Sequence, residues 1–193
     1  MLLARKPSNS KIADFIASQR DREFSYAQVG ASRNAPPLGF AVDHNRICLG
    51  HGASDFEKAV RCLRSWRMFE LRWLHLFWPN TPIEVGSTVA VLANVFGLWS
   101  LNACRIVYVF DDNSTVRRLG FAYGTLLEHA ECGEERFAVE WNQSDDSVWY
   151  DLFAFSRPAR VSTRIGYPMS RRIQRRFARE SLVAMQAAVR RGA

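Results

Sequence analysis

The feature that most constrains the fold is a series of β-rich runs between residues 87 and 156. The runs hold roughly 6 to 10 residues each and are rich in valine, tyrosine and phenylalanine. Short polar turns separate them, such as DDNST at 111–115 and NQSDD at 142–146. Because turns this short join strands that run in opposite directions, the pattern predicts an antiparallel meander.

A long helix is predicted to follow over residues 164–190, with Pro168 tolerated in its first turn. One arc of this helix is apolar and contains Met169, Ile173, Phe177, Ala184 and Ala188. A curved antiparallel sheet must bury its concave face, and this helix is the obvious cover. The sequence therefore predicts an α+β protein in which a curved antiparallel sheet grips a long C-terminal helix.

Three further elements are predicted before the meander. Residues 1–20 form an N-terminal helical extension, with a short helix over 10–20 behind a Ser10 cap, and GFAVDHNRICLGHG forms a strand. In the next helix, Ser54 is expected to be the N-cap and Glu57 to reach back to it. The stretch from Met68 to Gly86 fits either a strand or an irregular layer. We expect residues 1–193 to form one domain.

Composition and charge limit the classes to which the protein can belong. With 48% hydrophobic residues the chain is expected to be a packed globule, and no apolar run approaches the roughly 20 residues of a membrane-spanning helix. The first residues, MLLARKP, are too short an apolar run for a signal peptide. The four cysteines show no paired spacing, so neither a disulfide framework nor a zinc motif is indicated. We expect a cytoplasmic protein with reduced thiols, and we expect no cofactor and no metal.

Several motifs carry a resemblance to a known family. They are VDHNR with LGHG, SLNACRIVYV, GFAYGTL followed by GEERF, and FSRP with QRRF. Together, from about Phe24 to Met185, they resemble DUF1990 (UPF0548), a family of uncharacterised proteins. The resemblance implies a helix-grip fold of the START and pollen-allergen (Bet v 1) type, which binds ligands, and implies no established activity.

The helix-grip arrangement suggests that a small, largely apolar or lipid-like molecule binds between the sheet and the terminal helix. If Arg105 faces that cavity, it would form with Tyr123, Glu135 or Asp151 a polar pocket for an anionic or carbonyl head group. An outward-facing Arg105 is the alternative. Asn102 and Trp141 are further candidates for contact with the ligand.

The strand RLGFAYGTL has one nearly bare face. Alternation places Leu119, Phe121, Tyr123 and Thr125 on one side, and Gly120, Ala122 and Gly124 on the other. The terminal helix or a bend in the sheet could fill the bare side. Alternatively, Gly120 and Gly124 form the floor of the ligand cavity.

An enzyme that uses the same cavity is a rival hypothesis. Asp43 beside His44, or His129, could act as a general acid or base. The cluster of His129, Glu131, Glu134 and Glu135 contains metal-ligating types, but Glu134 and Glu135 should point to opposite faces of a strand. We therefore interpret this stretch as a solvated hairpin loop.

The terminal helix has a basic face formed by Arg171, Arg172, Arg175 and Arg179. Residues 161–193 carry eight arginines and one acid, Glu180, so the whole net charge of +7 lies there. Such a face could serve solubility alone or bind an anionic membrane surface as a peripheral protein. We expect no specific nucleic-acid partner, because no nucleic-acid-binding signature is present.

Overall fold

The computed structural model describes residues 1–129, 131–159 and 167–192. The strands in these ranges are Leu2–Leu3 (β1), Ala41–His51 (β2), Leu74–Phe77 (β3), Thr88–Val95 (β4), Leu98–Asn113 (β5), Val116–Thr125 (β6), Glu131–Asn142 (β7) and Ser147–Pro158 (β8). The helices are Asn9–Gln19 (α1), Gly52–Arg64 (α2) and Tyr167–Arg191 (α3). Two short 3₁₀ turns lie at Ala31–Arg33 and Arg67–Phe69.

The strands form one antiparallel sheet in the order β2-β8-β7-β6-β5-β4-β3, and β1 pairs with β5 beyond the end of β6. The meander predicted from residue 87 onward is therefore confirmed, from β4 to β8. The ambiguous stretch contains a short strand, β3, that extends the sheet beside β4.

Local turn chemistry explains where the strands reverse. Phe96 and Gly97 both have positive φ, as a two-residue hairpin of type I′ requires between β4 and β5. Between β7 and β8, the Asn142 carboxamide accepts a hydrogen bond from the Ser144 N–H, and the Asp145 carboxylate accepts one from the Ser147 N–H. These side chains take the place of ladder partners in the turn.

The concave face of the sheet is buried by α2 and α3. The main hydrophobic core joins both helices to inward residues of β4 to β8, and its largest members are aromatic: Phe56, Trp66, Phe69, Phe121, Phe137 and Tyr150. The predicted α+β fold, a curved antiparallel sheet around a long C-terminal helix, is confirmed.

The convex face is also covered, by α1 and by residues 24–33. Ile12, Phe15 and Ile16 of α1 pack on Leu92 and Leu101 in a second core cluster. Because both faces of β4 and β5 are buried, apolar residues occupy consecutive positions in these strands instead of alternating with polar ones.

Two predicted helix starts are wrong by a few residues. The N-cap of α1 is Ser8, whose hydroxyl accepts from the Lys11 N–H, not Ser10. The N-cap of α2 is His51, not Ser54, and the carboxylate that reaches back to the His51 N–H is that of Asp55, not Glu57. The chain enters α2 directly from β2, so the helix begins earlier than the Ser54 motif suggests.

The apolar arc of α3 is only partly as predicted. Phe177 and Ala188 are buried as expected, together with Ala178, Ser181, Met185 and Val189. Met169 is 38% exposed, because Ser170, Ile173 and Gln174 are the residues that the first turns of α3 present to the sheet. Residues 164–166 of the predicted helix lie outside the described residues.

The bare face of β6 lies on the convex side, so the prediction that Gly120 and Gly124 form a cavity floor is wrong. A side chain at Gly120 would collide with the Phe110 ring and the Phe137 carbonyl oxygen. A side chain at Gly124 would collide with the Tyr26 hydroxyl and the Phe24 ring. The glycines therefore admit other parts of the chain to close packing on the outer face.

Candidate functional site

A cavity of about 240 Å³ lies between the concave face of the sheet and the first half of α3. We call it the sheet–helix cavity. Ligand pockets typically measure roughly 300–1,000 Å³, so this one suits a small ligand. Its apolar wall includes Val91, Ala93, Leu152, Ile173, Phe177 and Ala178. One side of the cavity can thus take apolar surface out of water.

Other side chains of the lining are polar, and we call the group of Tyr123, Glu135, Glu131 and Asn102 the polar end of the cavity. The Tyr123 hydroxyl donates a hydrogen bond of 2.7 Å to the Glu135 carboxylate, which lines the cavity. Burial raises the pKa of Glu135 to about 7, although the bond from Tyr123 opposes this shift and the nearby Asp43 charge adds to it. Burial and the Glu135 charge raise the pKa of Tyr123 well above its ordinary value. Near neutral pH, Glu135 can therefore exchange a proton while Tyr123 stays neutral.

Glu131 and His129 form a second polar group beside this pair. Burial raises the pKa of Glu131, while a hydrogen bond with Ser170 and the Arg171 charge oppose the shift. The Oε2 atom of Glu131 is buried and has no hydrogen-bond partner among the described residues. The His129 Nδ1 accepts a bond of 3.0 Å from the Glu131 N–H, and burial lowers the pKa of His129 to about 4. The imidazole is therefore neutral at physiological pH.

An ion pair between β2 and α3 borders the cavity. The two guanidinium nitrogens of Arg171 lie 2.5 and 2.6 Å from the two carboxylate oxygens of Asp43. Arg171 also donates to the Gln174 side chain, which in turn donates to the Ser156 hydroxyl. This bidentate pair and its extension fix the first turns of α3 on the sheet.

Asn102 supplies another polar group from β5. Its side-chain N–H₂ donates to the Ser100 hydroxyl at 2.9 Å. The residue is only 9% exposed, it lines the cavity, and its Oδ1 has no hydrogen-bond partner among the described residues. Buried acceptors of this kind are uncommon, because an unpaired carbonyl oxygen away from water costs about 1–3 kcal/mol.

The interpretation of residues 129–135 as a solvated hairpin loop is wrong, because His129, Glu131 and Glu135 line the cavity. The expectation that Glu134 and Glu135 point to opposite faces is confirmed. Glu134 is 2% exposed and accepts hydrogen bonds from the convex side, from the Tyr26 hydroxyl and the backbone N–H groups of Gly30 and Ser32. The four potential metal ligands therefore do not converge on one point.

Arg105 lies on the convex face, so the predicted pocket for an anionic head group does not form around it. Its guanidinium donates to the backbone carbonyl oxygens of Gln19 and Arg20 and to the Thr88 hydroxyl. It holds the end of α1 against the sheet. The outward alternative for Arg105 is the correct one.

Asp151 also points away from the cavity, contrary to expectation. Its carboxylate lies 2.6 Å from the His44 Nε2 and 3.1 Å from nitrogens of both Arg46 and Arg136. His44 is thereby placed on the convex face, and its neighbour Asp43 on the concave face. The predicted Asp43–His44 acid–base pair is therefore wrong, since adjacent strand residues face opposite sides.

Trp141 and Arg171 are also placed differently from the predictions. The Trp141 ring packs against Phe56 of α2, and its N–H donates to Asp146, away from the sheet–helix cavity. The Arg171 side chain is 14% exposed in its pair with Asp43, whereas Arg172, Arg175 and Arg179 are exposed as predicted. Of the four arginines of the predicted basic face, these last three remain on the exposed surface of α3.

Polar residues of α3 also line the cavity, which the sequence pattern did not predict. Ser170 and Gln174 line the cavity together with Ile173 and Phe177. Ser170 and Gln174 are four residues apart in the sequence, on the same helical arc as Ile173 and Phe177. This spacing could have identified them as residues that face the sheet. Similarly, alternation back from the core residue Phe137 would have placed Glu135 on the concave face.

Membrane-spanning helices and metal-binding clusters are absent from the described residues. None of the described helices is long and apolar enough to cross a membrane. Within the same ranges, no group of three or more histidine, cysteine, aspartate or glutamate side chains has the arrangement of a metal site.

Comparison with known proteins places this geometry in a family. A family model described as "Domain of unknown function (DUF1990)" matches residues 25–184. A UPF0548 protein of Dictyostelium discoideum is 35% identical, and the match covers 98% of this chain and 96% of that protein.

A solved structure shares the fold at low sequence identity. A crystal structure of hypothetical protein jhp0584 from Helicobacter pylori matches with a TM-score of 0.54 and 15% identity, over 79% of this chain and 90% of that chain. A START superfamily protein from Mycobacterium smegmatis matches with a TM-score of 0.47 and 10% identity, over 79% of this chain and 99% of that one.

Proposed function

The chain belongs to the DUF1990 family, and we propose that it binds a small, largely apolar molecule in the sheet–helix cavity. The helix-grip fold commonly holds ligands between its sheet and its long helix. A fold by itself does not assign a function, so the proposal depends on the cavity.

The observation that carries the proposal is the mixed lining of the cavity. Apolar side chains of β4, β8 and α3 line it together with the polar residues Tyr123, Glu135, Glu131 and Asn102. Burying ~200 Å² of apolar ligand surface would contribute about 5 kcal/mol before the cost of association. One or two hydrogen bonds at the polar end would then orient the ligand.

Native mass spectrometry of the freshly purified protein tests this proposal. We expect an added mass of a few hundred daltons that disappears on denaturation. Replacing Ala154, which lines the cavity, by leucine should reduce this occupancy. The same change at exposed Ala53 is the matched control and should leave it unchanged. A mass equal to the bare chain, together with no binding of added apolar compounds, would contradict the proposal.

A second candidate function, an enzyme using the same cavity, is favoured by the Glu135–Tyr123 pair. A carboxyl group whose pKa is raised by burial to about 7 can both give and take a proton near neutral pH. Among the earlier candidates, Asp43 is paired with Arg171 and His44 lies on the convex face, which leaves His129 beside Glu131. Chemical conversion of the ligand identified by mass spectrometry, lost in Glu135→Gln, would support catalysis. Recovery of unchanged ligand would contradict it.

The exposed arginines of α3 support a third candidate, a peripheral association with anionic membrane surfaces. Arg172, Arg175 and Arg179 lie exposed on one helix, next to the turns that cover the cavity. Such an association would bring the cavity close to lipids. We also propose that the protein works in the cytoplasm, since its four cysteines are free.

A further inference from the structure

We propose that the ligand of the sheet–helix cavity carries a protonated amine, which the polar end of the cavity receives. This inference rests on the proposed function and specifies the class of its ligand. It replaces the anionic head group that the sequence suggested around Arg105.

The charged side chains that line the cavity are acidic. Asp43, Glu131 and Glu135 all line it, and no lysine or arginine side chain lines it among the described residues. Arg171, whose charge acts on Glu131, is engaged by both carboxylate oxygens of Asp43. Glu131 and Glu135 therefore lack a bidentate cationic partner of their own in the described part of the chain.

The second argument is the type of the unpartnered atoms. The Oδ1 of Asn102, a residue nine-tenths buried, and the Oε2 of Glu131 have no hydrogen-bond partner among the described residues. Both are acceptors. Glu135 already accepts from Tyr123 and offers further acceptor capacity toward the cavity. Among the described residues, the site is thus short of donors.

A protonated amine meets both requirements. It has up to three N–H donors and a positive charge, so it can satisfy several acceptors and offset the cost of burying a carboxylate. An alcohol supplies one donor without charge. A carboxylate supplies no donor and is repelled by Glu131 and Glu135.

Binding of an amine should also be coupled to the release of protons from the cavity. Because burial raises the pKa of Glu135 to about 7, a fraction of this carboxyl group is protonated near neutral pH, and burial shifts the pKa of Glu131 in the same direction. An ammonium ion favours the ionised form of Glu135, so its binding should release protons and tighten as pH rises from about 6 to about 8.

The other groups that face these carboxyls change little in this range. Burial keeps the hydroxyls of Tyr123 and Tyr150 and the Cys104 thiol protonated. Burial also keeps His129 neutral, and Asp43 faces the site as the ion-pair partner of Arg171. The pH dependence between about 6 and 8 therefore belongs to Glu135, whose pKa is raised to about 7.

The experiment compares four compounds with one apolar body: butylbenzene, 4-phenylbutan-1-ol, 4-phenylbutanoate and 4-phenylbutylamine. Their binding to the full chain is measured by calorimetry at about pH 6, 7 and 8. We expect the amine to bind about tenfold more tightly than the alcohol, and the carboxylate more weakly than both. Only the affinity of the amine should rise with pH.

Two variants test the assignment of the polar end. Glu135→Gln and Glu131→Gln should each reduce the advantage of the amine over the alcohol, while butylbenzene binding stays unchanged. Glu57→Gln, which changes an exposed carboxylate on α2, is the matched control and should change nothing. The pH series of the unaltered protein tests the inference even if one of these variants does not fold.

The outcomes separate this inference from the proposed function. If butylbenzene and the alcohol bind but the amine binds no more tightly than the alcohol, the amine assignment is wrong and the apolar cavity stands. If the carboxylate binds most tightly, the charge argument is overturned. If none of the four compounds binds, the proposed function fails and this inference fails with it.

Discussion

Glu135 determines how the polar end of the cavity responds to pH. It lies on β7 with its carboxylate held by the Tyr123 hydroxyl of the neighbouring strand and with the Asp43 charge nearby. Removing a carboxylate from water disfavours its ionised form, and a single hydrogen bond restores only part of the lost solvation. A ligand or a proton can supply the remainder.

The pH dependence of stability follows from this residue. The folded-state pKa of about 7 lies above the ordinary value of 4.5, so the folded state retains a proton that the unfolded chain releases. The stabilisation is therefore fully present below pH 4.5 and is lost as pH rises through about 7.

We expect Glu135→Gln to remove this loss of stability at rising pH, because the glutamine side chain does not ionise. Its free energy of unfolding relative to the unaltered protein should increase between pH 4.5 and about 8, by at most about 3 kcal/mol. Urea denaturation at several pH values measures the difference. The exposed-site control Glu57→Gln should run parallel to the unaltered protein. A Glu135→Gln curve that is also parallel would show that the carboxyl group is not buried as described.

At the scale of one element, α3 serves two different surfaces. Its inward side closes the cavity with Ser170, Ile173, Gln174 and Phe177, and its outward side carries Arg172, Arg175 and Arg179. Arg171 belongs to the inward side through its pair with Asp43. The sequence pattern alone grouped all four arginines, because helical periodicity gives a direction for each side chain but not the partner it meets.

The outward side is expected to control any binding to anionic vesicles. Changing Arg172, Arg175 and Arg179 together to glutamine removes three exposed charges, each worth about 1 kcal/mol at an anionic surface, so binding should weaken about 100-fold at low salt. Cosedimentation with vesicles containing phosphatidylserine measures this. The same change at exposed Arg5, Arg20 and Arg22 is the control for net charge. Equal binding of the two triple variants would contradict a role for the α3 surface.

At the scale of the whole molecule, the sequence predicted the architecture better than the cavity. The meander and the amphipathic terminal helix carry strong local patterns, and both are found. The facing of Arg105 could not be predicted, because apolar residues occupy both sides of β5, where α1 covers the convex face. A register shift between Ile106 and Tyr108 then changes which side the following residues face. Which residues form the polar end depends on the face that each residue occupies in several strands at once.

Covering the convex face requires a buried carboxylate, Glu134, which ties residues 26–32 to the sheet. It accepts hydrogen bonds of 2.6 Å from the Tyr26 hydroxyl, 2.7 Å from the Gly30 N–H and 2.9 Å from the Ser32 N–H. The Ser32 hydroxyl also bonds to Tyr108 of β5. The N-terminal segment is thus fixed across strands that are distant in sequence.

Glu134→Ala should therefore destabilise the whole molecule. The change leaves several donors buried without an acceptor, and we expect a loss of about 3 kcal/mol in the free energy of unfolding. Hydrogen exchange should show the largest loss of amide protection in residues 24–33, because Glu134 anchors that segment from β7. The control is Glu23→Ala, at an exposed residue directly before the same segment, and it should behave like the unaltered protein. Unchanged protection of residues 24–33 in Glu134→Ala would mean that the aromatic contacts of Phe24 and Tyr26, and not the carboxylate, hold the segment on the sheet.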